Sequence, residues 1–346
     1  MVKYRSRAPL RLGLAGGGTD LSPYCDAFGG AILNATIDRY AYVTLEPLHH
    51  GPLQFEARDT GVSLSLDPDA SSLQLEGELI LHKAVYRRIC MDFNGGRPFP
   101  CRLVSYCESP PGSGLGSSST VVVALLKAFA EAMQLPLGDY DLAHLAFEIE
   151  RVDAGLQGGR QDQYAATFGG FNFMEFRAED RVIVNPLRVK NWILSELESS
   201  LLLYYTGQSR ASAAIIAEQA RNMAHSGPSN PAIEAMHQLK ADAYEMKEAL
   251  LRGDIGHVAS VLNKSWEAKK STASSITNSS INALMDTAFS SGAIAGKVSG
   301  AGGGGFVTFL VDPERRTELA KVLQQQNGQL MPCSFTKRGA EGWRID

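Results

Sequence analysis

A loop rich in glycine and serine that runs directly into a helix constrains this chain more than any other stretch. Residues 110–120 read PPGSGLGSSST, and residues 121–133, VVVALLKAFAEAM, predict a helix. Closely spaced glycines let several backbone N–H groups converge on one point. The helix adds the unsatisfied N–H groups and the positive dipole end of its first turn, so the junction is predicted to bind an anion such as a polyphosphate.

The hydroxyl residues of this loop strengthen the prediction. Four of them stand in a row at 117–120, more than one helix cap requires, whereas a glycine-rich turn with a capping serine is the ordinary alternative. The loop is not a P-loop, because no lysine follows its glycines. Any nucleotide is therefore expected to be held differently.

Two further glycine-rich segments lie near the two ends of the chain. In GLAGGGTD, residues 13–20, a tight turn either offers Asp20 to sugar hydroxyls or uses it to cap the next element of the chain. In KVSGAGGGGFVTFLV, residues 297–311, Gly300, Gly302 and Gly305 match G-x-G-x-x-G. The continuation FVTFLV predicts a strand, whereas the dinucleotide fingerprint opens a helix, so NAD binding is not predicted. A loop that lets substrate or phosphate approach closely fits better.

Three charged residues are candidates for chemistry. Glu150 lies beside the buried face of a predicted helix, so a metal ion or Arg151 is its expected partner, against the commoner alternative of a solvated Glu. Asp162, in GGRQDQ, is placed between glycines and a strand, where it forms either a base facing a cleft or an Asx turn. Arg11 is a candidate to steady Asp162 or a transferring phosphoryl group.

The length and pattern of the chain predict two domains of α+β class. With 346 residues, 44% of them hydrophobic, it exceeds one ordinary core. The boundary is expected within 186–195, giving domains 1–190 and 191–346. Mixed strand and helix blocks favour α+β. Strands are predicted over 31–45, 53–66, 102–108, 171–176, 201–206 and 306–311, and helices over 79–91, 115–133, 139–155 (capped by Asp139), 212–251, 258–270 and 315–326.

Charge and cysteine usage narrow the function class. The net charge of -4 argues against a general affinity for nucleic acid or an anionic membrane. Five cysteines without a C-x-x-C pair argue against a disulfide framework or a zinc site and favour a cytoplasmic protein. No apolar signal core and no apolar run near eighteen residues is present in the sequence, so no membrane span is predicted.

The three glycine-rich segments, in this order, resemble the motifs of the GHMP kinase superfamily, which comprises galactokinase, homoserine kinase, mevalonate kinase and phosphomevalonate kinase. GGRQDQYAATFGGFNFMEF, residues 158–176, is most similar to its sugar-1-kinase branch. The resemblance implies an α+β fold with an N-terminal domain like ribosomal protein S5 domain 2 and a ferredoxin-like C-terminal domain. MgATP is expected between the two domains.

The same resemblance implies roles for individual residues. Mg²⁺ would be bound by Ser118 and Glu150, with Ser117 as the competing hydroxyl. Asp162 would act as the base or would orient the acceptor, and Arg11 would offset developing charge. The nucleotide-binding set is Pro111, Gly112, Ser113, Gly114, Leu115, Gly116, Ser117, Ser118 and Ser119. The substrate-binding set is Gly17, Gly18, Thr19, Asp20, Arg160, Gly302, Gly303 and Gly304.

The first motif departs from the one that galactokinase-like enzymes carry. Galactokinase-like enzymes carry Gly-Glu-His before Thr-Asp, whereas residues 16–18 here are Gly-Gly-Gly, which disfavours galactose and favours a bulkier or phosphorylated sugar. The resemblance of residues 158–176 to the sugar-1-kinase branch implies phosphorylation of the anomeric hydroxyl of D-glycero-D-manno-heptose 7-phosphate, supplying heptose 1,7-bisphosphate for activated heptose in surface polysaccharide. L-fucose or another sugar, and a non-catalytic sugar-sensing regulator, remain alternatives.

Some assignments stay open on the sequence alone. The phosphate that the sugar already carries needs its own cation, for which Arg160, Lys297, Arg210 and Lys264 are candidates. Trp266, Lys269 and Lys270 are predicted to belong to an ordinary amphipathic helix, with a cationic ligand face as the less favoured alternative. Whether the chain acts as a homodimer is left open.

Overall fold

Two β-sheets with helices packed against them make up the structure, a computed structural model that describes residues 2–208, 212–224 and 230–346. The strands, in chain order, are β1 (Lys3–Ala15), β2 (Gly30–Pro47), β3 (Leu53–Ala57), β4 (Val62–Leu66), β5 (Cys101–Cys107), β6 (Phe171–Phe176), β7 (Val182–Pro186), β8 (Leu201–Tyr205), β9 (Ala293–Val298), β10 (Phe306–Val311), β11 (Gln329–Met331) and β12 (Glu341–Ile345).

The first sheet has the strand order β12-β1-β2-β5-β3-β4, and β6 joins it by pairing with the first part of β2 and with β7. Its pairings are antiparallel except for β3 with β5. The final strand β12 pairs with β1, so the end of the chain returns to the first sheet. The second sheet, β11-β8-β10-β9, is antiparallel throughout. The division at residues 190 and 191 stays a prediction.

Helices cover the faces of both sheets. They are α1 (Tyr24–Phe28), α2 (Ile80–Phe93), α3 (Ser117–Met133), α4 (Asp139–Glu148), α5 (Gln161–Phe168), α6 (Asn191–Ser200), α7 (Ser212–Ala224), α8 (Pro231–Arg252), α9 (Ile255–Lys270), α10 (Ser279–Ser290) and α11 (Arg316–Gln324). A π-helical turn, Ile149–Asp153, continues α4, and short 3₁₀ turns occupy Ser274–Ile276 and Pro313–Arg315. In the part of the chain that the structure describes, no helix is both long and apolar enough to cross a membrane.

Helix α3 lies at the centre of the larger core. Because its sequence is apolar on nearly every side, it packs on β1 and β2 with one face and meets α2, α4 and α5 with others. Val122, Leu126 and Phe129 are completely buried. The first turn of α3, which follows the glycine-rich loop, is thereby held by a rigid scaffold.

Helices α8 and α9 connect the two sheets. Helix α8 begins where Asn230 accepts hydrogen bonds from the N–H groups of Ala232 and Ile233, with Pro231 at the first helical position. It packs on β1 and β2, and α9 packs on α8, β9 and β1. The last turn of α9 consequently approaches the glycine turn that follows β1.

The predicted elements are present with shifts of a few residues, except that the stretch predicted over 53–66 divides into β3 and β4, and the α+β class is confirmed. The helical stretch predicted over 212–251 divides into α7 and α8, with residues 225–229 outside the described residues. The prediction that Asp139 caps α4 is wrong, because the cap is Gly138, whose N–H bonds to the Asp141 carboxylate. Asp162 lies in the first turn of α5, a short helix that the sequence pattern did not predict between the glycines and the strand.

Candidate active site

The loop at 110–120 contacts both the strand that leads into the first glycine-rich segment and the last glycine-rich segment at Gly114. The carbonyl oxygen of Gly114 accepts hydrogen bonds from Nη1 of Arg11 at 2.6 Å and from Oγ of Ser299 at 2.9 Å. Any side chain at Gly114 would overlap the backbone of Ser299, and one at Gly300 would overlap Gly114. Glycine is therefore required where these loops cross, and residues from all three segments line a single cavity.

Arg11 and Asp162 form an ion pair on the wall of this cavity. Nε of Arg11 donates to Oδ1 of Asp162 at 2.7 Å, and the Arg11 side chain is 5% exposed against 20% for Asp162. A Cβ at Gly116 would lie 3.1 Å from Cγ of Asp162, so the carboxylate rests against the last glycine of the loop. The predicted contact between Arg11 and Asp162 is present, although the sequence does not show that the two segments meet.

The carboxylate of Asp20, from a distant loop, caps the N-terminus of the helix that carries Asp162. Oδ2 of Asp20 accepts from the backbone N–H groups of Arg160 at 2.8 Å and Gln161 at 3.0 Å, at the N-terminus of α5. A side chain at Gly159 would overlap this carboxylate. Asp20 thus caps a helix across 140 residues of chain and also lines the cavity. Its predicted contact with the sugar stays a prediction.

Glu150 is fully buried and has four partners. Its Oε1 accepts from Oγ of Ser118 at 2.7 Å, and its Oε2 accepts from Oγ of Ser119 at 2.6 Å and from Nε2 of Gln163 at 2.7 Å. Arg151 lies 3.2 Å from Oε1, as expected of a buried charge that needs a partner. The alternative of a solvated Glu150 is wrong.

The two competing serines point to different surroundings. Oγ of Ser117 donates to the carbonyl of Pro110 at 3.2 Å and lies 3.3 Å from Oγ of Ser113, whereas Ser118 contacts Glu150. A buried carboxylate beside a hydroxyl supplies the hard oxygen ligands that Mg²⁺ prefers. In the described part of the chain, no three His, Cys, Asp or Glu side chains form a cluster for a metal ion. A nucleotide-bound Mg²⁺ does not need one, since phosphate oxygens complete its shell.

Two buried lysines lie close to the glycine turn of the first motif. Nζ of Lys269 donates to the carbonyl of Gly17 at 2.9 Å, and Nζ of Lys297 donates to that of Gly13 at 3.0 Å. Burial lowers the pKa of Lys269 to about 8; Asp20 opposes this shift and Arg11 adds to it. Burial, with repulsion from Lys269 and Arg11, lowers the pKa of Lys297 to about 7. The sequence favoured an ordinary amphipathic helix for Lys269, because its position at the end of α9 gave no local signal of a site.

Several predicted substrate residues make contacts outside the cavity. The guanidinium group of Arg160 pairs with Asp180 at 2.5 Å and Asp26 at 3.3 Å, and Lys264 pairs with Glu245 at 2.8 Å. The hydroxyl of Thr19 bonds the backbone of residues 16 and 31. Arg210 lies outside the described residues.

The last glycine-rich segment lines the cavity with residues other than those predicted to bind substrate. Gly300 and Ala301 line the cavity, and Gly18 lines it from the first motif. Gly303 instead bonds the carbonyl of Ile276 at 2.7 Å, and a side chain at position 304 would meet the backbone of residue 208. For the predicted set 302–304, the contact with substrate stays a prediction.

Comparison with known proteins decides the family. Residues 80–170 match the model of the GHMP kinases N terminal domain, and residues 246–329 match that of the GHMP kinases C terminal domain. The chain belongs to the GHMP kinase family. As a GHMP kinase it is an enzyme that uses ATP and transfers a phosphoryl group to a hydroxyl group.

Relatives of this GHMP kinase include sugar kinases that match it over the whole chain. It is 47% identical to the D-glycero-alpha-D-manno-heptose 7-phosphate kinase of Campylobacter jejuni, with both chains completely covered. The crystal structure of a D-glycero-D-manno-heptose 1-phosphate kinase from Bacteroides thetaiotaomicron superposes with a TM-score of 0.84 at 47% identity, covering 99% of each chain. The L-fucokinase/L-fucose-1-P guanylyltransferase of Bacteroides fragilis is 26% identical over 92% of this chain and 36% of that protein.

Proposed function

We propose that this GHMP kinase transfers the γ-phosphoryl group of ATP to the anomeric hydroxyl of D-glycero-D-manno-heptose 7-phosphate. The observation that carries the proposal is the 47% identity, over both complete chains, to a kinase named for this substrate. The product, heptose 1,7-bisphosphate, would supply the synthesis of nucleotide-activated heptose for capsule or lipopolysaccharide. The much lower identity to the fucokinase makes L-fucose the weaker candidate.

The cavity wall supports a direct transfer. The anomeric oxygen attacks the γ-phosphorus, the bond from that phosphorus to the ADP oxygen breaks, and Asp162 receives the proton of the attacking hydroxyl. Arg11, held between Asp162 and the carbonyl of Gly114, offsets charge on the transferring group. The N-terminus of α3 would offer its unsatisfied N–H groups to the phosphates. Mg²⁺ held by Ser118 and Glu150 would neutralise further phosphate charge.

The substrate proposal is tested with a panel of sugars and sugar phosphates assayed for ADP release. The panel contains heptose 7-phosphate, heptose 1-phosphate, unphosphorylated heptose and L-fucose. We expect the highest kcat/KM for heptose 7-phosphate and a product that carries phosphate on carbon 1, identified by ³¹P NMR. Turnover of L-fucose with heptose 7-phosphate inert would contradict the proposal.

The assignment of the metal to Ser118 is tested against its neighbour. Ser118→Ala removes the hydroxyl that contacts Glu150, and we expect the Mg²⁺ concentration for half-maximal rate to rise about 10- to 100-fold. Ser117→Ala removes a hydroxyl that bonds the Pro110 carbonyl and leaves Glu150 untouched. We therefore expect the Mg²⁺ concentration for half-maximal rate to change less than about threefold in this variant. Equal effects of the two substitutions would contradict the assignment.

A further inference from the structure

A buried ammonium group lies over the glycine turn of the first motif. Nζ of Lys269 has one hydrogen-bond acceptor among the described residues, the carbonyl of Gly17, although an ammonium group has three N–H donors. The side chain is 4% exposed and lines the cavity that also contains Arg11 and Asp162. A buried charge with two unused donors is costly unless a ligand satisfies them.

The glycine triplet makes room for this group. A Cβ at Gly18 would come within 2.8 Å of Nζ of Lys269, so a side chain at this position would displace the ammonium group. This is the position at which galactokinase-like motifs carry His. The departure at residues 16–18 and the presence of Lys269 in the cavity are therefore two parts of one arrangement.

The positive charges near Lys269 exceed the negative charges. Arg11 is already paired with Asp162, and Lys297, whose pKa burial lowers to about 7, adds part of a positive charge near neutral pH. Asp20 attracts Lys269, but its Oδ2 accepts two backbone N–H groups of α5. The local excess of positive charge favours an anionic ligand.

Gln219, on α7, lines the same cavity, and the oxygen of its side-chain amide accepts no hydrogen bond among the described residues. Nε2 of Gln219 donates to Oγ1 of Thr272 at 2.6 Å, and this hydroxyl itself donates to the carbonyl of Lys269 at 2.8 Å. These roles fix the orientation of the amide, and its buried Oε1 has no partner within the described residues. Gln219 is 1% exposed and lines the cavity beside Lys269. A sugar hydroxyl is the donor that suits such an oxygen.

We propose that Lys269 binds the phosphate group that the sugar substrate already carries, and that Gln219 accepts a hydrogen bond from a hydroxyl of the same sugar. The inference rests on the proposed function, because it requires a sugar phosphate as acceptor. Among the described residues, the Lys269 side chain donates its one hydrogen bond to the first motif. It makes no hydrogen bond with the described residues of the loop at 110–120, which is expected to hold ATP. Lys269 is thus a determinant of acceptor specificity.

The test compares phosphorylated with unphosphorylated heptose. In Lys269→Met, the ratio of kcat/KM for heptose 7-phosphate to that for heptose is expected to fall about 10- to 100-fold, because the lost contact involves an ionised group. The KM for ATP is expected to change less than about threefold. Lys270→Met is the matched control, since the adjacent lysine pairs with Glu267 at 2.7 Å away from the cavity.

A pH profile provides a readout that a structural role would not change. Only the ammonium form binds a phosphate dianion, and burial lowers the pKa of Lys269 to about 8, with Asp20, Arg11 and Lys297 as the charged groups around it. The KM for heptose 7-phosphate should therefore rise above about pH 8 in the wild-type enzyme. Lys269→Arg keeps the charge and should remove this rise, because arginine does not deprotonate in this range.

The outcomes separate the two proposals. A wild-type enzyme that turned over heptose 7-phosphate, with a Lys269→Met variant that kept the wild-type preference, would overturn the role of Lys269 alone. A raised KM for ATP with an unchanged preference would likewise overturn it, by assigning Lys269 to the nucleotide. A wild-type enzyme that accepted only unphosphorylated sugars would overturn the proposed function and this inference together. Lys269→Gln provides a second neutral variant if Lys269→Met does not fold.

Discussion

Replacing Asp162 with asparagine is expected to lower kcat about 10²- to 10⁴-fold, the usual contribution of a general base. Asparagine keeps the shape of the side chain and an oxygen that can accept from Nε of Arg11, so the arginine stays in place. It cannot take a proton from the attacking hydroxyl. We expect KM for either substrate to change only severalfold, because the loop at 110–120 and the first motif are untouched. Steady-state kinetics of ADP release measure both effects.

A second arginine–carboxylate pair on the same strand offers the matched control. Arg7, also on β1, contacts Glu341 at 2.8 Å, away from Arg11 along the strand. Glu341→Gln makes the same chemical change as Asp162→Asn, and we expect it to leave kcat within about twofold, since this partly exposed pair does not line the cavity. An Asp162→Asn enzyme with more than a tenth of the wild-type kcat would remove the base assignment. Equal losses in both variants would indicate a stability effect instead.

The helix that follows the glycine-rich loop could be predicted because its signals are local. The glycines, the hydroxyl residues and the apolar helix occupy residues 110–133 without interruption, and the helix Ser117–Met133 forms where the composition indicates. Glu150 was predictable for a similar reason, since one position on an amphipathic helix shows whether a charge faces the core. The order of the three glycine-rich segments then identified the family.

Features that depend on distant residues could not be predicted from local patterns. Helix α5 is only eight residues long, and Asp20 caps its N-terminus from a distant part of the chain, so the surrounding glycines indicated a loop instead. Lys269 follows the ordinary amphipathic pattern of α9, and only the packing of α9 against α8 and β1 brings it to Gly17. Pairing of β12 with β1 is equally non-local.

Replacing Glu150 with glutamine is expected to lower activity at ordinary Mg²⁺ concentrations by at least about 10²-fold, because a neutral amide oxygen is a far weaker ligand than a carboxylate. Loss of the carboxylate leaves Arg151 and Nε2 of Gln163 without their ionised acceptor, so the substitution is also expected to lower the melting temperature. The hydroxyls of Ser118 and Ser119 can accept hydrogen bonds as well as donate them, which limits this loss. Activity is therefore compared at a temperature at which circular dichroism shows the variant to be folded. Glu148→Gln, two residues earlier and 38% exposed, is the control and should retain wild-type activity.

The response to added metal distinguishes Glu150 from Asp162. If Glu150 binds Mg²⁺, raising the Mg²⁺ concentration should restore a large part of the rate of Glu150→Gln, since the defect is one of metal affinity. The same titration should leave Asp162→Asn as slow as before, because its defect is the missing proton acceptor. Both side chains contact the junction of the loop and α3, through Ser118 and Gly116 respectively, so general damage to this junction would affect both variants alike. Rescue of neither or of both variants by Mg²⁺ would contradict the division of roles.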